Sequence, residues 1–256
     1  MGIAMRTAAT ESPASPTLPV LTFHALEDSP EVISFPPRVF REGIARLRAL
    51  GWRTCRLIDV ASSLERLPAR TLVITFDDGY RTVHEHALPV LRDHGMTATI
   101  FVTVGTTDGG TFLGRRMLGW TELREMHAAG FEIGAHSVTH PDLTRLPRER
   151  VEAELRDSRR RIEDALGVPV DCFAYPHGRF DAQSRELAGR HYACACSDRL
   201  GLVHAGSDVH ALERVEMYYF RRQRLFDLVA TPWLPWYLRA RNVPRTVRRM
   251  ALEAVQ

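Results

Sequence analysis

The most informative stretch of the sequence is residues 72–80, Leu-Val-Ile-Thr-Phe-Asp-Asp-Gly-Tyr. Its first five residues are apolar apart from Thr75, a pattern typical of a strand that is buried on both faces. Asp77 and Asp78 follow where this strand ends, and Gly79 marks a turn. Because ligands bind at the carboxyl ends of strands in parallel α/β folds, both carboxylates are candidates for chemistry. The alternative interpretation is an Asp-Gly turn without a function.

A second polar cluster follows another short strand-like run, residues 131–133. Residues 134–140 read Gly-Ala-His-Ser-Val-Thr-His, which places His136 and His140 four positions apart at the end of a predicted strand. Imidazole is the commonest metal ligand in proteins, and one of the two Asp would complete a set of two His and one carboxylate. Two His at this spacing are common on protein surfaces. The prediction of a metal site therefore rests on their combination with the acidic strand end.

A third stretch, residues 173–178, reads Phe-Ala-Tyr-Pro-His-Gly. With it, residues 18–220 resemble the NodB-homology polysaccharide deacetylases, carbohydrate esterase family 4, and in particular their poly-N-acetylglucosamine deacetylase subgroup. Residues 75–79 are similar to the first motif of that family, residues 136–140 to its second, and residues 175–178 to its third. The resemblance implies a metal-dependent hydrolase that removes the N-acetyl group from an N-acetylated amino sugar or polysaccharide.

The resemblance also implies roles for individual residues. Asp78, His136 and His140 are expected to bind a divalent metal ion, most simply Zn²⁺, with Co²⁺, Ni²⁺ or Fe²⁺ as alternatives. Asp77 is expected to be the general base, although the residue types alone do not distinguish it from Asp78. The backbone N–H of His177 would contribute to an oxyanion hole.

The sequence departs from the family pattern at the third motif, where Ala174 occupies the position of an Arg. That Arg normally pairs with the catalytic Asp, so we expect Arg214 to take its place. An acid is also needed to protonate the leaving amine. His24, at the end of the first predicted strand, is the first candidate, and His204, in a Leu-Val-His sequence, is the second.

Strand-like and helical segments alternate along the chain, which predicts an α/β fold with a parallel sheet. The family resemblance specifies a distorted or incomplete (β/α) barrel of about seven strands. Residues 1–17 are predicted to be disordered from their composition, residues 18–220 to form the catalytic domain, and residues 221–256 to form a helical extension rich in Trp and Arg.

The composition is that of an ordinary soluble protein, with 45% hydrophobic and 25% charged residues and a net charge of +3. A charge this small gives no reason to expect nucleic acid as a partner. No signal peptide and no apolar run of about 18 residues is found, so a cytoplasmic location is expected.

The carboxyl-terminal tail allows two interpretations. Residues 232–238 are rich in aromatic side chains, and five Arg follow between Arg239 and Arg249. This order suits a peripheral contact with an anionic membrane surface. The alternative is a terminal helix that packs against the barrel and leaves its Arg residues in solvent.

Two other functions are compatible with the same motifs. One is a carbohydrate-binding protein that kept the fold without catalysis. The motive for this hypothesis is the Ala at position 174, where the family has an Arg. The other is an esterase for O-acetyl sugars, which needs the same metal and base but less help for its leaving group.

Overall fold

The computed structural model describes residues 17–253, with side chains described through residue 243. Seven parallel strands form its centre: β1 Val20–Phe23, β2 Thr71–Phe76, β3 Thr99–Val102, β4 Glu132–Ala135, β5 Cys172–Ala174, β6 Cys194–Leu200 and β7 Leu212–Glu216. The predicted disorder falls on residues 1–16, which lie outside the described residues, whereas Thr17 belongs to a short strand.

The seven strands close into a barrel. Each strand pairs in parallel with the next one along the chain, and β1 pairs with both β2 and β7. Val20 lies opposite Val73 in one of these closing pairs, and Val215 lies opposite Leu21 in the other. The prediction of a (β/α) barrel of about seven strands is thereby confirmed, and the ring is closed.

Eight α-helices accompany the strands in the described part of the chain. They are α1 Pro37–Ala49, α2 Leu57–Ser63, α3 Arg81–Asp93, α4 Trp120–Ala128, α5 Arg148–Leu166, α6 Ala182–His191, α7 Gln223–Phe226 and α8 Leu234–Glu253. Their ends follow local chemistry: Asp181 caps α6 by accepting from the N–H of Ser184, and Gly167 ends α5 in a left-handed conformation.

Side chains of the strands alternate between two hydrophobic clusters. Those pointing into the barrel include Val73 and Phe101, whereas Leu72 and Ile74 pack outward against the helices. Gly134 is required on the inner face of β4, because a Cβ atom there would lie 2.7 Å from the ring of Phe101. Apolar side chains such as these fill much of the barrel interior, and Asp77 and Asp78 follow β2 at its carboxyl end.

The segment after β7 is part of the same body. Phe226, Val229, Leu234 and Leu238 are buried in the cluster that surrounds the barrel. The part of the tail whose side chains are described therefore packs against the barrel, in agreement with the second interpretation of its sequence. None of the helices within residues 17–253 has the length and apolar character needed to cross a lipid bilayer.

Candidate active site

Three side chains of types that bind metal ions converge at the carboxyl ends of β2 and β4. Asp78 Oδ1 lies 3.4 Å from His136 Nε2 and 3.3 Å from His140 Nε2. The three ligand atoms lie within 4.8 Å of one another, and no other group of three or more His, Cys, Asp or Glu residues in the described chain does so. The structure therefore brings together the three residues that the family resemblance implied as metal ligands.

The hydrogen bonds of these residues fit a cation. His136 Nδ1 lies 2.7 Å from the carbonyl oxygen of Ala174, so a proton on Nδ1 leaves the Nε2 lone pair directed at Asp78. Burial lowers the pKa of His140 to about 4, with the charge of His136 acting in the same direction, so this ring is neutral at physiological pH. With both rings neutral, two lone pairs and a carboxylate would share one small space, which suits a divalent ion.

The electrostatics also favour positive charge between these groups. Burial opposes ionisation of Asp78, but its hydrogen bond to His136 and the neighbouring His residues lower its pKa overall. Burial likewise opposes protonation of His136, yet Asp78 and Asp77 raise its pKa. A positive charge is therefore stabilised where a metal ion would bind.

The loop that carries His140 is held by a buried carboxylate on α5. Glu154 accepts from the N–H groups of Val138 and Thr139 at 2.8 and 2.9 Å and from the Thr139 hydroxyl at 2.7 Å. Ser137 and His140 both have left-handed backbone angles, with φ of 64° and 58°, and Ser137 Oγ accepts from the N–H of His140. Glu154 is only 5% exposed, and sequence reasoning missed it. Its signal was a carboxylate on the apolar face of a helix.

We expect Glu154→Gln to weaken metal binding by about 10- to 100-fold, the usual cost of disturbing a group that orients a ligand. The amide has one acceptor oxygen where the carboxylate uses two, so the turn before His140 loses hydrogen bonds. Titration of the metal-free protein with Zn²⁺ measures the effect. The control is Glu149→Gln, at an exposed position on the same helix. Unchanged metal affinity with a lower melting temperature would make Glu154 merely structural.

Asp77 lies beside these three residues and is paired with a buried Arg. Arg214 Nη1 donates to Asp77 Oδ1 at 2.8 Å, and its Nε donates to the carbonyl oxygen of Ser197 at 2.9 Å. Ser197 lies within the irregular part of β6, where the pairing with β7 shifts register. The pair predicted from the vacancy at Ala174 is therefore present. Burial raises the pKa of Asp77, but Arg214, His136 and His24 outweigh it and lower that pKa overall.

Arg214→Gln is expected to shift the acidic limb of the pH–rate profile upward. Removal of the guanidinium raises the pKa of Asp77, so a larger fraction of the carboxylate is protonated at low pH while activity at high pH is better preserved. In the native protein the pair stabilises the fold above the ordinary Asp pKa, and this contribution is lost as pH falls through the lowered pKa. Profiles of kcat/KM from pH 4 to 9 test the shift; an unmoved acidic limb would contradict it.

The remaining predicted residues fall into two groups. His24 follows β1, and its Nε2 lies 4.0 Å from Asp77 Oδ2, so it faces the site. His177 has φ of 58°, and its ring packs edge-on against His140 with the centroids 4.6 Å apart. Phe112, in the hairpin formed by residues 111–116, also contacts His140. The glycine-rich loop between β3 and α4 therefore reaches the rim of the site.

His204 does not join them. It pairs with Thr17, which precedes β1, so it lies towards the amino ends of the strands, away from the site. His204 is exposed, and its Nδ1 accepts from the N–H of Gly206 within a local turn. The prediction of His204 as the second candidate acid is therefore wrong. The Leu-Val-His sequence matched a short pattern, but the topology places it at the other end of the barrel.

Comparison with known proteins places this site in a family. Residues 65–193 match the family model described as polysaccharide deacetylase. This segment contains Asp77, Asp78, His136, His140 and His177. His24 and Arg214, which also lie near Asp77, are outside the matched segment.

Individual relatives extend the match. YxkH of Bacillus subtilis, described as a polysaccharide deacetylase, is 27% identical over 212 residues, covering 81% of this chain and 73% of that protein. The poly-β-1,6-N-acetyl-D-glucosamine N-deacetylase of Staphylococcus aureus is 26% identical over 122 residues, 44% of this chain and 42% of that protein. The solved structure of the Streptococcus pyogenes deacetylase PplD superimposes with a TM-score of 0.72 and 26% identity, covering 78% of this chain and 92% of that one.

Proposed function

Because this chain belongs to the polysaccharide deacetylase family, we propose that it removes the N-acetyl group from an N-acetylated amino sugar or polysaccharide in a metal-dependent reaction. Its relatives are hydrolases of carbon–nitrogen bonds other than peptide bonds, and so is this enzyme. The observation that carries the finer proposal is the convergence of Asp78, His136 and His140 directly beside the pair of Asp77 and Arg214. The products are acetate and a free amine.

The metal would be held by Asp78, His136 and His140, with Zn²⁺ as the first choice and Co²⁺, Ni²⁺ or Fe²⁺ as alternatives. Three protein ligands leave positions for water and substrate, as in other catalytic metal sites. When bound, such an ion supplies a water of lowered pKa and polarises an acyl carbonyl.

The other residues of the site would move protons and stabilise charge. Asp77, kept ionised by Arg214, takes the proton from the attacking water. His24, whose Nε2 lies 4.0 Å from Asp77 Oδ2, would protonate the leaving amine. The backbone N–H of His177 would donate to the oxyanion that forms at the carbonyl. As the carbon–nitrogen bond breaks, the nitrogen leaves with this proton and the acyl group leaves as acetate.

The experiment that tests this proposal is the release of acetate from β-linked N-acetylglucosamine oligomers by the full-length protein. We expect release that stops with a chelator and returns when Zn²⁺ or Co²⁺ is added back. An O-acetylated sugar run in parallel measures esterase activity. A much faster reaction with the ester would favour an esterase. Glycan binding without release from either substrate, in protein loaded with metal, would favour a binding protein.

Cellular location and surface contacts are separate from this site. A cytoplasmic location stays a prediction. Contact of the tail with a membrane would involve the surface of α8 and not the site at the end of the barrel.

A further inference from the structure

Helix α8 has two different faces. The first is anchored to the body of the protein, where Leu234 and Leu238 are each 3% exposed. The Tyr237 hydroxyl donates to the carbonyl oxygen of Tyr219 at 3.0 Å, and Asn242 Nδ2 donates to that of Leu200 at 2.7 Å. These contacts fix the orientation of the helix, so the opposite face must point away from the barrel.

The outward face of α8 is apolar. Trp236 and Val243 are each 64% exposed, and Trp233, just before the helix, is 65% exposed. Six large apolar side chains are exposed among the described residues, and three of them lie in this short segment. Ala240 is exposed between Trp236 and Val243 on the same face. In the sequence, the spacing of three and four continues through Val247 and Met250. A second apolar face on a helix that is already anchored is a candidate docking surface.

The segment that carries this apolar face is strongly basic. The guanidinium of Arg239 lies 5.3 Å from the centroid of the Trp236 ring, whereas that of Arg241 lies on the anchored side, 5.1 Å from the centroid of the Tyr219 ring. Residues 221–256 contain eight Arg and only two acidic residues, Asp227 and Glu253. Because the whole chain has a net charge of only +3, the rest of it is slightly acidic. The positive charge of the protein is therefore concentrated in the segment that exposes Trp.

We propose that this face of α8 docks on an anionic lipid bilayer, with Trp233, Trp236 and Val243 at the level of the headgroups and Arg239 beside them on a lipid phosphate. Trp prefers this interfacial depth, and a helix with Arg on one side and Trp on the other lies in the plane of the interface. A second copy of the chain fits less well, because it would bring two strongly basic helices together. Nucleic acid would engage the Arg residues but gives no reason to expose the apolar stripe.

The test is co-sedimentation of the full-length protein with vesicles of phosphatidylcholine alone or of phosphatidylcholine mixed with phosphatidylglycerol. We expect binding to the mixed vesicles, weaker binding as salt is raised, and little binding to neutral vesicles. Trp233→Ala combined with Trp236→Ala should reduce the partition coefficient by about tenfold or more. Deacetylation of a soluble oligomer should be unchanged in that variant.

The matched control is Leu50→Ala, which removes an exposed apolar side chain, 54% accessible, at the end of α1. It should bind the mixed vesicles as the native protein does. Equal vesicle binding by the native protein and the Trp variant would overturn the proposal. So would a lack of vesicle binding combined with dimerisation, or with retention of DNA, that depends on the two Trp.

Discussion

Replacement of His136 by Ala is expected to abolish stoichiometric metal binding and to reduce acetate release by more than about 100-fold. The lower bound follows from the cost of disturbing a partner of a ligand, about 10- to 100-fold, which removal of the ligand itself must exceed. His136 is 2% exposed and is fixed by its hydrogen bond to Ala174. No other described His or carboxylate lies close enough to complete the cluster in its place. Metal content after dialysis and the initial rate of acetate release measure the two effects.

The control for this substitution is His127→Ala, which removes an exposed His on α4 and should change neither quantity. A melting curve shows whether His136→Ala remains folded, because a buried ring is lost. The prediction is contradicted if the folded variant still binds one metal ion per chain with native affinity. Native activity in a folded variant that binds no metal would remove the metal from the mechanism altogether.

Much of this site could be predicted from the sequence because its signals are local. The run that ends in Asp77 and Asp78 is β2, and the run before His136 is β4. Polar residues after an apolar run indicate where the strand ends, and they are also the side chains that lie at that end. In a parallel barrel all such ends meet at one rim, so the fold itself brings separate motifs together.

The partners of these residues were harder to predict, because they depend on contacts across the barrel. Glu154 reaches the loop of His140 from the next helix, and nothing in the loop's own sequence requires it. Arg214 could be inferred because Ala174 left a known role vacant. His204 shows the limit of that reasoning, since a short pattern says nothing about which end of the barrel it occupies. The exposed face of α8 likewise could not be predicted from the sequence, because it depends on which residues of the helix pack against the barrel.

Replacement of Asp77 by Asn is expected to lower kcat by about 10²- to 10⁴-fold while metal binding is retained, the range usual for loss of a general base. Asn has nearly the same shape, and its amide oxygen still accepts from Arg214. It cannot take a proton from water. Asp77 suits the role because its lowered pKa keeps it ionised at neutral pH and because its Oδ2 lies 4.0 Å from Nε2 of His24, the proposed acid. Acetate release and metal content of the same preparation provide the two readouts.

The matched comparison is Asp78→Asn, which separates the two adjacent carboxylates. If Asp77 is the base and Asp78 the ligand, the first variant keeps its metal and loses turnover, whereas the second loses both. The reverse pattern would exchange the roles. Full activity of Asp77→Asn would show that the proton leaves the attacking water by another route and would leave the pair with Arg214 as a purely structural contact. The separation is sharp because Oδ1 of Asp77 is bound by Arg214, while Oδ1 of Asp78 faces both imidazoles.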